Sequence, residues 1–154
     1  MIKPLRLGVA KIDEDHRQIL ETVEEVRRIS ISGETSRLLR VMEDLEDYTL
    51  NHFRKEEVLM DLFKYPRIEE HRHSHNEFLL EWDTVWKQMR EPDPDLVRRF
   101  LQFLESWFTY HICTIDLDYA RWISEHIHPA TEIREDPPLQ EDPPPAFAGT
   151  VEVS

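Results

Sequence analysis

The chain has 154 residues, with 32 acidic against 19 basic side chains and a formal charge of −13. That leaves one domain of ordinary size and no basic face for tracking phosphates, so nucleic acid is not an expected partner. The three glycines, Gly8, Gly33 and Gly149, exclude a glycine-rich nucleotide loop between positions 34 and 148, and the single cysteine, Cys113, excludes an internal disulfide or a thiolate zinc site.

Apolar residues recur at three- and four-residue spacing, the helical period. Ile12, His16, Ile19, Leu20, Val23 and Val26 form a first stripe, ended by Ser32-Gly33. Leu38, Val41, Leu45, Tyr48, His52, Glu56, Leu59 and Phe63 form a second, with Thr35 as its N-cap. A third follows Tyr65-Pro66 and runs through His71, His75, Phe78, Trp82, Val85 and Met89. The fourth opens at Asp93-Pro94, a cap followed by proline at the first helical position. It continues through Val97, Leu101, Leu104, Phe108, His111, Ile115, Tyr119 and Trp122, and His128-Pro129 stops it. Short connections make neighbouring helices antiparallel. The pattern predicts an all-α, up-down-up-down four-helix bundle over residues 1–128.

Six of the ten prolines lie from Pro129 onward, in the near-repeats Glu135-Asp136-Pro137-Pro138 and Glu141-Asp142-Pro143-Pro144-Pro145. Proline blocks helix and acidic residues prefer water, so residues 129–154 are expected to be an extended or disordered tail. Phe147, Val151 and Val153 give that tail an apolar grip for a protein partner. No apolar run reaches the roughly 18 residues that span a bilayer. No apolar h-region follows Lys3 and Arg6, and the expected compartment is the reducing cytoplasm.

The helical stripes contain residues that a plain core would reject. His16, His52, Glu56, His71, His75 and His111 stand in register with Leu, Ile and Phe. Burying such groups costs several kcal/mol unless they are paired or metal-bound. His52 and Glu56 are four apart, as are His71 and His75, so each pair shares one helical face and converges on a common centre. Asp116 is a further candidate, but it lies five residues after His111, roughly 140° away around an ideal helix. Its participation needs either a cluster wide enough to be approached from the side or a local π-type widening.

Five imidazoles and two carboxylates are too many for one metal and suit two. If both carboxylates and a solvent-derived oxygen bridge, three imidazoles complete six-coordination at one metal. Two imidazoles leave the other metal five-coordinate with an open position. An imidazole-rich, thiolate-free set accepts iron, copper, nickel or zinc, and the oxygen bridges favour iron. Di-iron carboxylate bundles use glutamates where this set has imidazoles. Neutral ligands stabilise the lower oxidation state and suit binding O2 over cleaving it.

Ile12-Asp13-Glu14-Asp15-His16, His52-Phe53-x-x-Glu56-Glu57-x-x-Met60, Tyr65-Pro66 before His71-x-x-x-His75, and Trp107-x-x-x-His111-Ile112-x-x-Ile115-Asp116 together resemble the bacterial hemerythrins. The resemblance covers Gly8 to Trp122. It implies a non-heme di-iron centre that binds O2 reversibly. By position, His71, His75 and His111 would hold the six-coordinate iron, His16 and His52 the five-coordinate one, and Glu56 and Asp116 would bridge. This chain has Met1 where the family usually has a tryptophan ahead of the first ligand. It has Phe108 where a leucine commonly lies over the O2 pocket, so the Phe108 ring is expected beside the open position. The tail has no counterpart.

His73 is two positions from His71 and is expected to face away from the metals, and Cys113 likewise points elsewhere. His126 and His128 offset a helix dipole. Trp82, Trp86, Trp107 and Trp122 are expected to be packing residues. No dedicated general acid or base accompanies the ligands, so the expected function is O2 carriage, storage or local delivery, not enzymatic turnover. Two alternatives are a sensor module that reports the iron's ligand state through the tail, and a peroxide- or nitric-oxide-consuming enzyme.

Overall fold

The computed structural model describes residues 6–91 and 93–126. The expected tail, residues 129–154, and the His128-Pro129 stop lie outside the described residues. Four long helical stretches and no strand occur among the described residues: α1 (Ala10–Ser32), α2 (Thr35–Leu62), α3 (Ile68–Trp86) and α4 (Pro94–Tyr110), the last continuing through a π-helical turn (His111–Asp116) into α5 (Leu117–His126). No helix among the described residues is long and apolar enough to cross a membrane.

Each boundary has a local cause. Asp13 anchors the start of α1 by accepting from the Leu7 and Gly8 amides at 2.7 and 3.1 Å. At the end of α1, Gly33 takes the left-handed conformation (φ +75°), where a Cβ would be strained. That reversal lets α2 begin one residue earlier than expected, so Thr35 is its first helical residue and Glu34 occupies the cap position. Glu34 makes no cap bond to the helix; its carboxylate accepts from the Ser32 hydroxyl instead. Helix α2 closes with Lys64 in the left-handed region (φ +58°), the Tyr65 amide reaching the Met60 carbonyl and the Lys64 amide reaching that of Asp61. This is a Schellman closure, with Tyr65 and Met60 sharing a hydrophobic cluster as its apolar contact. Asp93 caps α4 as expected, accepting from the Leu96 amide at 2.8 Å with Pro94 at the first position.

Helix α1 packs against α2 and α4, and α3 packs against the same two. Cross-helix pairs run in opposite numerical directions: Glu25 meets Arg37, His16 meets His52 and Asp15 meets Lys55. Between α3 and the last helical stretch, Trp82 meets Phe100 and Phe78 meets Phe103 on α4, and His75 meets His111 at the π-helical turn.

The interior has two apolar layers. A large cluster runs from Ile29, Leu38 and Met89 to Ile19, Phe53, Phe78, Phe108 and Ile112; a small one holds Met60, Tyr65, Tyr119 and Ile123. Along α2, the large layer ends at Phe53 and the small one begins at Met60, with Glu56 between them. Along the last helical stretch, Ile112 belongs to the first layer and Tyr119 to the second, with Asp116 between. The buried polar residues therefore form a slab sandwiched by hydrocarbon.

The two left-handed turns should respond oppositely to substitution. Gly33→Ala should cost about 1 kcal/mol through backbone strain alone, because no atom lies within 4 Å of an added Cβ. Lys64→Gly should gain up to about 1 kcal/mol by relieving the same strain. Urea denaturation checks both signs.

Candidate metal centre

All seven sequence-derived candidates converge in that slab. His16, His52, Glu56, His71, His75, His111 and Asp116 are each no more than 1% exposed, and their ligand atoms fall into two groups. Glu56, His71, His75, His111 and Asp116 form one, and His16, His52, Glu56 and Asp116 form the other, with all atoms of a group within 4.8 Å of each other.

The two carboxylates are the members in common, and each divides its oxygens between the groups. Glu56 Oε2 lies 3.3 Å from His71 Nε2 and 3.2 Å from His75 Nε2, while Oε1 lies 3.4 Å from His52 Nε2. Asp116 Oδ1 lies 3.1 Å from His71 Nε2 and 2.9 Å from His111 Nε2, while Oδ2 lies 3.0 Å from His16 Nε2. His16 and His52 approach each other Nε2 to Nε2 at 3.1 Å, and His75 and His111 at 3.2 Å.

Asp116 reaches this cluster because the chain widens at the required point. Residues His111–Asp116 form the π-helical turn, whose i→i+5 hydrogen bonding carries residues five apart onto one side of the helix. The Thr114 hydroxyl donates to the Tyr110 carbonyl at this widening. Of the two routes open to Asp116 on spacing, the structure takes the π-type one.

Hydrogen bonding alone does not satisfy the cluster. Glu56 Oε1 and both Asp116 oxygens are buried without a hydrogen-bond donor. The imidazoles beside them approach closely, yet these contacts lack hydrogen-bond alignment. Ligand atoms placed at right angles about 2.1 Å from one ion lie about 3.0 Å apart, which matches these spacings. A crowd of electron-pair donors around two points, short of donors for its oxygens, fits two metal ions.

Electrostatics in the metal-free chain tell the same story. Burial and the neighbouring Asp116 push Glu56 upward, but His52, His71 and His75 hold it down at about 2. Against burial, His111, His16 and His71 hold Asp116 well below the usual carboxylate range. Burial opposes charge on His71 too, yet the adjacent Asp116 and Glu56 carboxylates raise it to about 9. His52 is raised, Glu56, Asp15 and Asp116 outweighing its burial, whereas at His111 burial prevails and the shift is downward.

A family model described as the hemerythrin HHE cation binding domain matches residues 7–128. This chain belongs to the hemerythrin family. It is 27% identical over 124 residues to a bacteriohemerythrin of Stenotrophomonas maltophilia, covering 80% of each chain. It is 28% identical over 116 residues to a bacteriohemerythrin of Pseudomonas aeruginosa, covering 75% of each. A solved structure of wild-type hemerythrin matches with a TM-score of 0.67 at 24% identity, covering 75% of this chain and 89% of that one, which establishes a shared fold.

The structure also places the residues that sequence reasoning set aside or passed over. His73 is exposed beside Glu77, Cys113 is exposed, and His126 bonds the Trp122 carbonyl near the end of α5. Phe108 is buried, with its ring against Phe78 and Trp107 at centroid distances of 5.4 and 5.2 Å. The rings stacked directly on the hemerythrin-type cluster are others: Phe53 on His75 at 3.8 Å and Trp107 on His111 at 4.3 Å. Trp107 is four residues before His111 and so shares its face; Phe53 gave no comparable signal. The outward nitrogens of the imidazoles find partners that periodicity did not indicate. His75 Nδ1 meets Glu57 and His111 Nδ1 meets Ser74, both at 2.9 Å, and His52 Nδ1 lies 3.5 Å from Asp15, which Lys55 holds from outside at 2.8 Å. Such partners fix the tautomer and orientation of a ligating imidazole.

The metal-free chain should be most stable between about pH 4.5 and 6.5. The raised His71 contributes stability that is complete below its ordinary value of 6.5 and is lost as pH rises through about 9. The depressed Glu56 contributes stability present above its ordinary value of 4.5 and lost as pH falls through about 2. Denaturant midpoints of the metal-free chain from pH 3 to about 10 check both limbs.

Proposed function

We propose that this chain binds O2 reversibly at a di-iron centre and serves in carriage, storage or local delivery of oxygen. The observation that carries the reading is the division of Glu56 and Asp116 between a three-histidine and a two-histidine group. His71, His75 and His111 would hold one iron, His16 and His52 the other, with both carboxylates shared. When bound, the metal pair supplies the electrons that let O2 attach and leave. The two-histidine side has one donor fewer, which leaves room there for the gas.

The protein's own groups do the remaining work. Glu57 and Ser74 orient His75 and His111, so two of the three imidazoles on that side are held at a fixed geometry. The apolar layers on either side keep bulk water and its protons away. The Phe108 ring would narrow the path for O2 within the larger layer. The reading takes the bundle as up-down-up-down, supported by the opposed numbering of the cross-helix pairs.

Iron quantification with an O2-difference absorption spectrum tests the reading directly. The expected result is two irons per chain and a spectrum that reverses when O2 is removed. A single zinc, or steady-state consumption of peroxide or nitric oxide without reversible O2 binding, would overturn it. Iron removal should lower the melting temperature, because metal binds the folded state alone. At a hundredfold excess over Kd the binding contributes about 2.7 kcal/mol, equivalent to roughly 5–10 °C for a chain of this size.

Phe108→Leu should leave iron content unchanged while speeding both O2 release and autoxidation. A close-packed interior responds to a change of a few atoms, and isobutyl is smaller than phenyl. Stopped-flow O2 release and the decay of the oxygenated spectrum measure the two rates. Equal rates in both proteins would remove Phe108 from the gas path.

A further inference from the structure

A site buried this completely has a problem of access, since none of the seven residues is more than 1% exposed. An ion reaches it only if some ligand moves, and the imidazoles are not held equally. His75 and His111 are pinned through Nδ1 by Glu57 and Ser74 at 2.9 Å. His71 Nδ1 is buried without a partner. His71 also lines a surface crevice of about 10 Å³ together with Tyr65, Arg67, Glu70, Ile115 and Asp118, room for about one water. His16 Nδ1 also lacks a partner, but the residues lining the crevice come from other parts of the chain.

One side chain spans the rim of this crevice. Arg67 donates to Glu70 from Nε at 3.0 Å and from Nη2 at 2.7 Å, and to Asp118 from Nη1 at 3.2 Å. The guanidinium thus ties the beginning of α3 to the beginning of α5 directly outside His71. All three partners are about half exposed or more, so the tie exchanges readily with water. Without it, two carboxylates face outward beside His71, the one imidazole of the three-histidine group whose Nδ1 has no partner.

We propose that this crevice is the port through which ferrous iron enters and leaves the buried centre. Arg67 is the latch: when it releases, Glu70 and Asp118 receive the hydrated cation. His71 turns toward the crevice to let the ion pass, then closes behind it. Oxygen ligands on a flexible rim suit a labile divalent ion, whereas the imidazole-rich interior holds it more firmly. The proposal rests on the di-iron reading.

Anaerobic loading of the metal-free full chain with ferrous iron, and its release to a ferrous chelator, test the port. Arg67→Gln should speed both loading and release about three- to fivefold, because an exposed ion pair holds the rim shut by only about 1 kcal/mol. Iron per chain at equilibrium should be unchanged. Equal acceleration in both directions marks a gate; faster release alone would mark a weakened site and overturn the port. The variant Arg67→Gln with Glu70→Gln and Asp118→Asn should load more slowly than Arg67→Gln alone, having lost the receiving carboxylates. Arg67→Lys, unable to hold both carboxylates at once, gives the same direction if the glutamine variant does not fold. Arg37→Gln, which removes the bridge to Glu25 elsewhere on the surface, should match wild type. Unchanged rates in Arg67→Gln and Arg67→Lys, or an equal change in Arg37→Gln, would refute the port and leave the di-iron reading intact. A wild-type chain that takes up no iron would refute both.

Discussion

Two carboxylates buried at the centre of a helical bundle set the terms for everything around them. Glu56 and Asp116 are fully enclosed, and an uncompensated buried charge costs several kcal/mol. Five imidazoles answer that charge from four helical stretches, so the same contacts that neutralise the carboxylates also cross-link the bundle. The answer is incomplete without cations, because Glu56 Oε1 and both Asp116 oxygens still lack donors. Stability and ligand binding are therefore two aspects of one arrangement in this chain.

The apolar layers make that arrangement chemically useful. Phe53 and Trp107 lie flat on His75 and His111, and Phe78 and Phe108 continue the packing into the large cluster. Aromatic faces in contact with imidazole exclude water without offering competing hydrogen bonds. On the opposite side Tyr119 meets His71 edge to face, with its hydroxyl buried and unpartnered. A small, weakly polar ligand such as O2 enters such surroundings more readily than a hydrated ion does.

Enclosure and exchange make opposite demands on the same side chains. Glu57 and Ser74 immobilise two imidazoles of the three-histidine group, and the unequal restraint leaves His71 as the freest of its three. Its position behind the Arg67 bridge confines that freedom to one side of the molecule, away from the large apolar layer. Ion traffic and gas traffic would then use different faces of the slab.

The sequence by itself determined the four helical stretches and six of the seven converging residues, because both follow from local periodicity; Asp116, out of step with His111, was assigned through the resemblance of its motif to the hemerythrins. His52 and Glu56, or His71 and His75, must share a face wherever a regular helix places them. Their clash with the surrounding Leu, Ile and Phe already signalled a polar centre. Asp93-Pro94 and Ser32-Gly33 marked boundaries through side-chain and backbone preferences that are equally local. Only the tertiary structure decided that Asp116 arrives through a π-helical turn, since an ideal helix and a widened one are written in the same residues. It alone decided which carboxylate oxygen faces which imidazole, and that Phe53, Trp107, Glu57, Ser74 and Asp15 surround the ligands. It also placed Arg67 between Glu70 and Asp118, two positions 48 residues apart in the chain. Those relations depend on how neighbouring helices rotate and slide against one another. That is settled by the packing of whole faces, and no periodicity within a single helix records it.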